Sequence, residues 1–351
     1  MLEIEGLISG RGQHASGVIL FPNGFIEQNA MMKTTSGLPI TQFEATDSEY
    51  MGGLKYDFLS INALDRIRVA MDLLIEYGKI EDQGSLRKTY DKYFHPDVLE
   101  MDAPEMYQML FDGHVLNAFQ FETNVGQQAL RKINPQSFNE LCAGNSLMRL
   151  SCEGEQPLDK FVRFKNDINL WYEEMRLEGL NEEEIKILKG HLLDKNGICD
   201  TQEGLMLLSM DPNISSFSLT QSNNFRKAVA KQNQALIEEE KHLFYKQGIK
   251  NNTRKEFLDY VWYKLLSPQF GYSFSAPHIS GYTFILMIEM NICYRFGHIF
   301  WKTACLTVNS GLIGESSGGV AYGEIAKAVG DMKGVVYSPS INRSNLGFTP
   351  L

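Results

Sequence analysis

The sequence lacks the features that define several large protein classes. Its five cysteines are widely scattered without a C-x-x-C pair, which favours reduced thiols in a cytosolic protein over zinc sites or disulfides. No basic segment followed by an apolar one opens the chain, so no secretory signal is predicted. The motifs G-x-x-x-x-G-K-[ST] and H-E-x-x-H are absent. The P-loop NTPase and metalloprotease classes therefore have no direct support, and we expect a cytoplasmic protein.

A long uninterrupted apolar run is also missing. The most apolar segment covers residues 279–306, but it contains Glu289, Asn291, Arg295 and Lys302. Ionisable groups are costly in lipid. The segment therefore predicts one or two buried core helices, and no membrane partner is expected.

Positive charge is scarce as well. The 351 residues include 33 Lys and Arg against 43 Asp and Glu, which gives a net charge of −10. A simple nucleic-acid coat protein would be basic, so this class is disfavoured. An enzyme that binds DNA through local basic patches remains compatible with this net charge. The length allows two or three domains with an ample core.

The spacing of apolar residues divides the chain near residue 62. Before it, the runs 18–20, 41–43 and 54–59 predict short strands. After it, the 3–4 spacing of helices dominates. Helices are expected over 223–247 and 254–266, a linker over 311–320, and a short helix (324–329) and strand (334–337) beyond. The predicted fold class is α+β, a small β segment followed by a large, mainly α-helical part.

The strand predicted over 54–59 carries the first candidate site. Lys55 and Asp57 fall on one strand face and the apolar residues on the other. Asp57 is suited to hold a divalent cation, and Lys55 to neutralise phosphate. From the pattern alone, an exposed strand face with a solvated ion pair is favoured over a metal site. His14 precedes the first strand, but it has no second ligand at metal-binding spacing.

A basic group on the long predicted helix is the second candidate. Lys227 and Lys231 are four residues apart and share a helix face, and Arg226 can offer a bidentate fork to phosphate. If the group lies near a helix start, the position favours anions. A solvated charged helix is at least as good an interpretation.

Clustered aromatic residues form the third candidate. Tyr272 belongs to the run 270–274, and His278 follows four residues later. Such rings can stack on nucleic-acid bases. A turn packed on a core is the more common outcome for this pattern.

In order along the chain, these pieces resemble the alpha subunit of bacterial DNA polymerase III, a replicative polymerase of the C family. The matching segments are residues 14–19 (HASGVI), 41–49 (TQFEATDSE), 55–59 (KYDFL), 119–123 (FQFET), 201–206 (TQEGLM), 225–232 (FRKAVAKQ), 270–278 (FGYSFSAPH) and 335–342 (VVYSPSIN). The resemblance implies residues 1–62 as the C-terminal part of a nucleotidyltransferase-like palm, 63–320 as fingers, and 321–351 as the start of a further domain. A partial palm lacks partner strands, so its sheet is expected to expose an apolar edge or face.

The resemblance also implies roles at matching positions. Asp57 corresponds to a catalytic, metal-binding carboxylate of the palm, and Lys55 to its phosphate-binding neighbour. In the fingers, Arg226, Lys227 and Lys231 correspond to residues that hold the incoming dNTP. The residues expected to contact DNA are Arg149, Tyr272 and His278. Mg²⁺ is the implied cofactor.

Several family positions differ. The Pro-Gly-Pro that follows the Arg149 position is replaced by residues 150–152 (LSC), a Lys is replaced by Ala276, and a Gly by Ser60. The two other palm carboxylates have no counterpart. We therefore expect part of a DNA-directed DNA polymerase that is inactive alone. The implied partners are primer-template DNA, a complementary N-terminal polymerase chain and replisome components such as the sliding clamp. The alternative is a non-catalytic DNA- or polymerase-binding protein that retains the fold.

Overall fold

The computed structural model describes residues 12–14, 16–22, 24–34, 37–58, 60–150, 152, 154–309 and 348–350. The chain divides after residue 62 into two compact units, Met1–Asn62 and Ala63–Leu351. The linker, helix and strand expected over 311–337 lie outside the described residues. The α+β class is confirmed, with small sheets in the first unit and mainly helices in the described residues of the second.

The described residues of the first unit form two antiparallel ribbons and two short helices. Its elements are β1 (Gly17–Leu20), α1 (Phe25–Gln28), β2 (Met31–Lys33), β3 (Pro39–Thr41), α2 (Ala45–Tyr50) and β4 (Leu54–Asp57). β1 pairs with β4, and β2 with β3. The strand expected over 41–43 is wrong beyond Thr41, because the Thr41 hydroxyl accepts the backbone N–H of Phe43 and turns the chain toward α2.

One face of the β1–β4 ribbon is apolar and exposed, as the sequence predicted. Val18 pairs with Tyr56 and Leu20 with Leu54, so these four side chains share a face. Between 45% and 57% of each is exposed, and Phe58 just beyond β4 is 69% exposed. The opposite face therefore carries Lys55 and Asp57.

The second unit is a helical assembly. Its helices are α3 (Asn62–Glu76), α4 (Leu86–Tyr93), α5 (Pro104–Phe111), α6 (Asn124–Ile133), α7 (Phe138–Leu147), α8 (Pro157–Asn166), α9 (Asn169–Leu177), α10 (Glu182–Leu192), α11 (Gln202–Met210), α12 (Leu219–Ala230), α13 (Gln234–Lys250), α14 (Lys255–Tyr260), α15 (Ala276–Phe296) and α16 (His298–Asn309). After α14 the helix continues as a π-helix over Val261–Leu266. Among the described helices, none combines the length and apolarity needed to cross a bilayer.

The apolar segment 279–306 forms the two buried helices that its composition predicted. Within α15, Glu289 and Asn291 are fully buried. Asn291 exchanges hydrogen bonds with the backbone of Glu100, and the indole N–H of Trp301 donates to the carbonyl of Leu116 at 2.7 Å. A buried polar group destabilises the fold unless it is hydrogen-bonded, as the side chains of Asn291 and Trp301 are.

The single long helix expected over 223–247 is wrong. α12 ends at Ala230 and α13 begins at Gln234. Gln232 adopts the left-handed conformation (φ 51°), and the N–H of Asn233 donates to the carbonyl of Ala228, which is the Schellman ending of a helix. Asn233 then caps α13 through its side chain. Because glycine usually occupies the left-handed position, the sequence did not show this break.

Candidate functional site

The first unit brings three polar side chains together at the end of its ribbon. Lys55 Nζ lies 3.1 Å from the Asp57 carboxylate, which is 44% exposed. His14 Nδ1 accepts the backbone N–H groups of Ser16 and Gly17, so a neutral ring carries its proton on Nε2, which lies 3.9 Å from Asp57. His14 is therefore a neighbour of Asp57 that its isolated position in the sequence did not show.

A side chain at Gly17 would crowd its two neighbours at this corner. A Cβ at Gly17 would lie 2.9 Å from His14 Nδ1 and 3.2 Å from Lys55 Cε. Gly17 is also the residue paired with Asp57 across the ribbon. His14 and Lys55 line a cleft of about 690 Å³ within this unit.

The described residues do not complete a metal site at Asp57. No group of three or more His, Cys, Asp or Glu in this part of the chain is arranged to hold a metal ion. Asp57 supplies one carboxylate, and Lys55 already neutralises it. A two-metal site needs carboxylates that bridge both ions, so the residues present do not by themselves fit the Mg²⁺ site that the sequence implied.

In the second unit, the packing of α12 determines where its cations lie. Phe225 is fully buried and stacks on Trp262 of the π-helix, with ring centroids 5.2 Å apart. Ala228 and Val229 are buried on the same side. Arg226 is consequently half-buried and Lys227 exposed, at the edge of the buried face.

The expectation of a cationic helix start is wrong for α12. Ser218 caps the helix through a capping box with Gln221, far from the basic group. Lys227 lies in the last turn and Lys231 is the C-terminal cap. Cations at this end are favoured by the negative end of the helix dipole, so no anion site arises from the dipole of α12.

Arg226 is held in a defined orientation by two neighbours. Its Nε donates to Asn223 Oδ1 at 3.0 Å, and its Nη1 donates to Gln202 Oε1 at 2.9 Å. Gln202 is the first residue of α11, whose Thr201 cap accepts the N–H of Gly204. The sequence showed the segment 201–206 as a family match but assigned Gln202 no role.

Hydrogen bonds from several segments hold the aromatic loop that we define as residues 271–275, together with the start of α15 that follows it. The donors and acceptors are Gln202 N to Phe274 O, Gln202 Nε2 to Ser273 O, Ser273 Oγ to Gln269 Oε1, Gln232 Nε2 to Gly271 O, and Ala276 N to Glu203 Oε2. Within the loop, Phe274 is buried while Tyr272 is 41% exposed. The aromatic cluster therefore provides both the packed turn and an exposed ring, the two alternatives that the sequence left open.

A continuous stack connects this loop to α15. The Arg149 guanidinium lies 4.8 Å from the centre of the Phe274 ring, which stacks on His278 at 5.4 Å. His278 in turn contacts Tyr282, one helical turn later, at 4.0 Å. The guanidinium of Arg149 also donates to the side-chain amide of Gln120. Tyr282 was not among the sequence candidates, although its i, i+4 spacing from His278 pointed to it.

The aromatic loop is thus the point around which four candidate residues are grouped: Arg226, Arg149, Tyr272 and His278. Lys231 directly precedes Gln232, whose side chain binds the loop. Guanidinium and ammonium groups bind phosphate oxygens, and exposed aromatic rings stack on bases. The arrangement is suited to a ligand that carries both phosphate groups and bases.

Two family models match the chain: the bacterial DNA polymerase III alpha NTPase domain over residues 1–60, and the bacterial DNA polymerase III alpha subunit finger domain over residues 79–252. The chain is 44% identical, over 99% of its length, to a probable DNA polymerase YorL of Bacillus subtilis and to a DNA-directed DNA polymerase of Bacillus phage SPbeta. It is 25% identical, again over 99%, to a DNA polymerase III subunit alpha of Staphylococcus aureus. It spans 27% of the first two relatives and 29% of the third.

Proposed function

The chain belongs to the bacterial DNA polymerase III alpha family, and from this premise we propose that it forms part of a DNA-directed DNA polymerase. The reaction is template-directed transfer of a nucleotide from a dNTP to a primer 3′-hydroxyl. The observation that carries the proposal is the grouping of Arg226 and Arg149 with an exposed Tyr272 around one loop. Phosphate-binding and base-stacking groups are what a nucleotide on a template requires.

In this proposal the fingers residues bind and orient the incoming nucleotide. Arg226, together with Lys227 and Lys231, offsets the charge of the triphosphate, because preorganised cations stabilise phosphate charge without reorganising during the reaction. Tyr272, His278 and Arg149 contact DNA. These roles concern binding and orientation, which this part of the chain can perform by its own side chains.

The palm residues are proposed to act at the reacting end. Asp57 would contribute one ligand to a divalent cation, and Lys55 would bind phosphate beside it. We expect a polypeptide of these 351 residues to show no primer extension, because one carboxylate does not make a two-metal site. A complementary N-terminal polymerase segment, primer-template DNA and replisome components such as the sliding clamp are the partners that the proposal implies.

Triphosphate binding tests the fingers assignment. With a deoxynucleoside triphosphate as probe, Arg226→Ala combined with Lys227→Ala should weaken binding, since each charge-assisted contact contributes about 1.5 to 3 kcal/mol when partly desolvated. Lys246→Ala with Lys250→Ala is the matched control, as it removes two exposed cations from a different helix, α13. Equal affinity of both double variants across a salt titration would reject the assignment.

One observation favours a second candidate, a non-catalytic DNA- or polymerase-binding protein of the same fold. Asp57 is the single position that matches a palm carboxylate in the aligned motifs. Primer extension with Mg²⁺ and dNTPs separates the candidates when the proposed N-terminal polymerase segment is supplied together with these 351 residues. Extension that Asp57→Asn abolishes supports the polymerase, and DNA binding without extension supports the second candidate.

A further inference from the structure

The first residue of α11 contacts two separate parts of the fingers site. Gln202 Oε1 accepts from Arg226 Nη1 at 2.9 Å, and Gln202 Nε2 donates to the carbonyl of Ser273 at 2.7 Å. Its backbone N–H donates to the carbonyl of Phe274 at 2.8 Å. One residue therefore links the proposed phosphate-binding arginine to the loop that exposes Tyr272.

The orientation of the Gln202 amide is set by chemistry on both sides. A carbonyl can only accept, and a guanidinium can only donate. Rotating the amide by half a turn would place its NH₂ against Arg226 and its oxygen against the carbonyl of Ser273. Both contacts would then be repulsive, so the amide keeps its orientation. A shift of the loop therefore moves the Gln202 amide and, with it, the guanidinium of Arg226.

The neighbouring contacts lack this double character. Glu203 binds the N–H of Ala276, and Gln232 binds the carbonyl of Gly271. Among the residues that the structure describes, Gln202 is the one whose hydrogen bonds reach both Arg226 and the loop.

We infer that Gln202 is a positioning residue that couples nucleic acid on the aromatic loop to triphosphate at Arg226. This inference rests on the proposed function of the two groups. Nucleic acid that orders residues 271–275 also orders the Gln202 amide, and therefore holds Arg226 in its phosphate-binding orientation. By linkage, bound triphosphate strengthens nucleic-acid binding by the same factor.

The test measures dATP affinity of the 351-residue chain with and without saturating oligodeoxythymidylate. In the wild type, the oligonucleotide should raise dATP affinity. Gln202→Leu removes both side-chain contacts, so affinity should fall by about tenfold to a hundredfold, the effect of one hydrogen bond to a charged group, and the oligonucleotide should have no effect. Gln202→Glu still accepts from Arg226 but cannot donate to Ser273, and its negative charge opposes a triphosphate, so it should lower dATP affinity and lose the coupling.

Gln156→Leu is the matched control. Gln156 is also half-buried and donates to a backbone carbonyl, that of Cys152, at 2.9 Å. It should retain both wild-type affinity and coupling. Thermal melting of each variant identifies loss of affinity that comes from unfolding, and the near-isosteric Gln202→Glu keeps the test decisive if Gln202→Leu does not fold.

The outcomes separate the two proposals. If Arg226→Ala weakens dATP binding while both Gln202 variants keep wild-type affinity and coupling, the role of Gln202 is wrong and the phosphate site stands. If Arg226→Ala has no effect, the phosphate site itself is wrong, and the inference falls with it.

Discussion

Glu289 and Phe119 are joined by a hydrogen bond in the interior of the second unit: the Glu289 carboxylate accepts the backbone N–H of Phe119 at 2.8 Å. The other carboxylate oxygen, Oε1, is buried without a hydrogen-bond partner among the described residues. Burial raises the pKa of Glu289 well above its ordinary value of 4.5, although Phe119 and Arg66 oppose the shift. The folded protein therefore holds this group in its protonated form.

This protonation predicts how stability depends on pH. Because the folded state binds the Glu289 proton more tightly than the unfolded state does, the contribution is complete below pH 4.5 and is lost as pH rises toward the folded pKa. Glu289→Gln should remove this loss. At alkaline pH the variant should be more stable than the wild type, by about 1 to 3 kcal/mol, in urea unfolding at several pH values.

Glu174 provides a control with the opposite sign. Burial alone would raise its pKa, but Lys160 at 2.7 Å, Arg163 and Tyr260 outweigh burial and lower it. Its stabilising contribution is present above its ordinary pKa and is lost as pH falls through the folded pKa. Glu174→Gln should therefore destabilise the protein at neutral pH. If both variants change stability in the same direction at every pH, the protonation states assigned here are wrong.

Gly197 should not tolerate a side chain. It has φ +73°, and an added Cβ would lie 2.5 Å from the ring of the fully buried Trp171. We expect Gly197→Ala to destabilise the protein by about 1 to 3 kcal/mol, the cost of overpacking a core. Gly190, inside α10, has open space at the same position. Gly190→Ala should instead stabilise by about 0.5 to 1 kcal/mol, and thermal melting of the two variants should give shifts of opposite sign.

Tyr272 should contribute to binding of single-stranded DNA. Its ring is 41% exposed on the loop that Gln202 holds, and stacking of a base on such a ring contributes about 1 to 3 kcal/mol. Tyr272→Ala should weaken binding of a fluorescent oligodeoxythymidylate accordingly. Tyr294→Ala is the control, since Tyr294 is 39% exposed on α15, apart from the aromatic loop. A loss equal in both variants would show that Tyr272 has no specific role.

Asp57→Asn should leave triphosphate binding by the 351-residue chain nearly unchanged. The residues proposed to bind the triphosphate in the fingers, Arg226, Lys227 and Lys231, belong to the second unit, whereas Asp57 contacts Lys55 and His14 within the first. Titration of dATP in the presence and absence of Mg²⁺ measures the effect. A clear Mg²⁺-dependent loss of affinity in the variant would mean that Asp57 already binds the metal–nucleotide complex without further carboxylates.

Local pattern was sufficient to predict much of the secondary structure. The alternation that separates Leu54 and Tyr56 from Lys55 and Asp57 placed β4 correctly, and Asn181 and Glu184, three residues apart, form the capping box at the start of α10. These signals act between residues close in the chain, so they are legible without the fold. The family was recognised in the same way, from short motifs in order.

The grouping of the candidate site was decided by the tertiary structure. Gln202 and Ser273 are 71 residues apart, and Arg149 reaches Phe274 across an even longer stretch of chain. The break after α12 depends on the left-handed backbone conformation of Gln232. The side-chain amide of Gln232 donates to the backbone carbonyl of the distant Gly271. The sequence by itself determined which residues can form strands, helices and caps, because those preferences are local. Only packing of distant segments decided which polar groups meet, since a hydrogen bond between them depends on where the buried faces of their helices bring them.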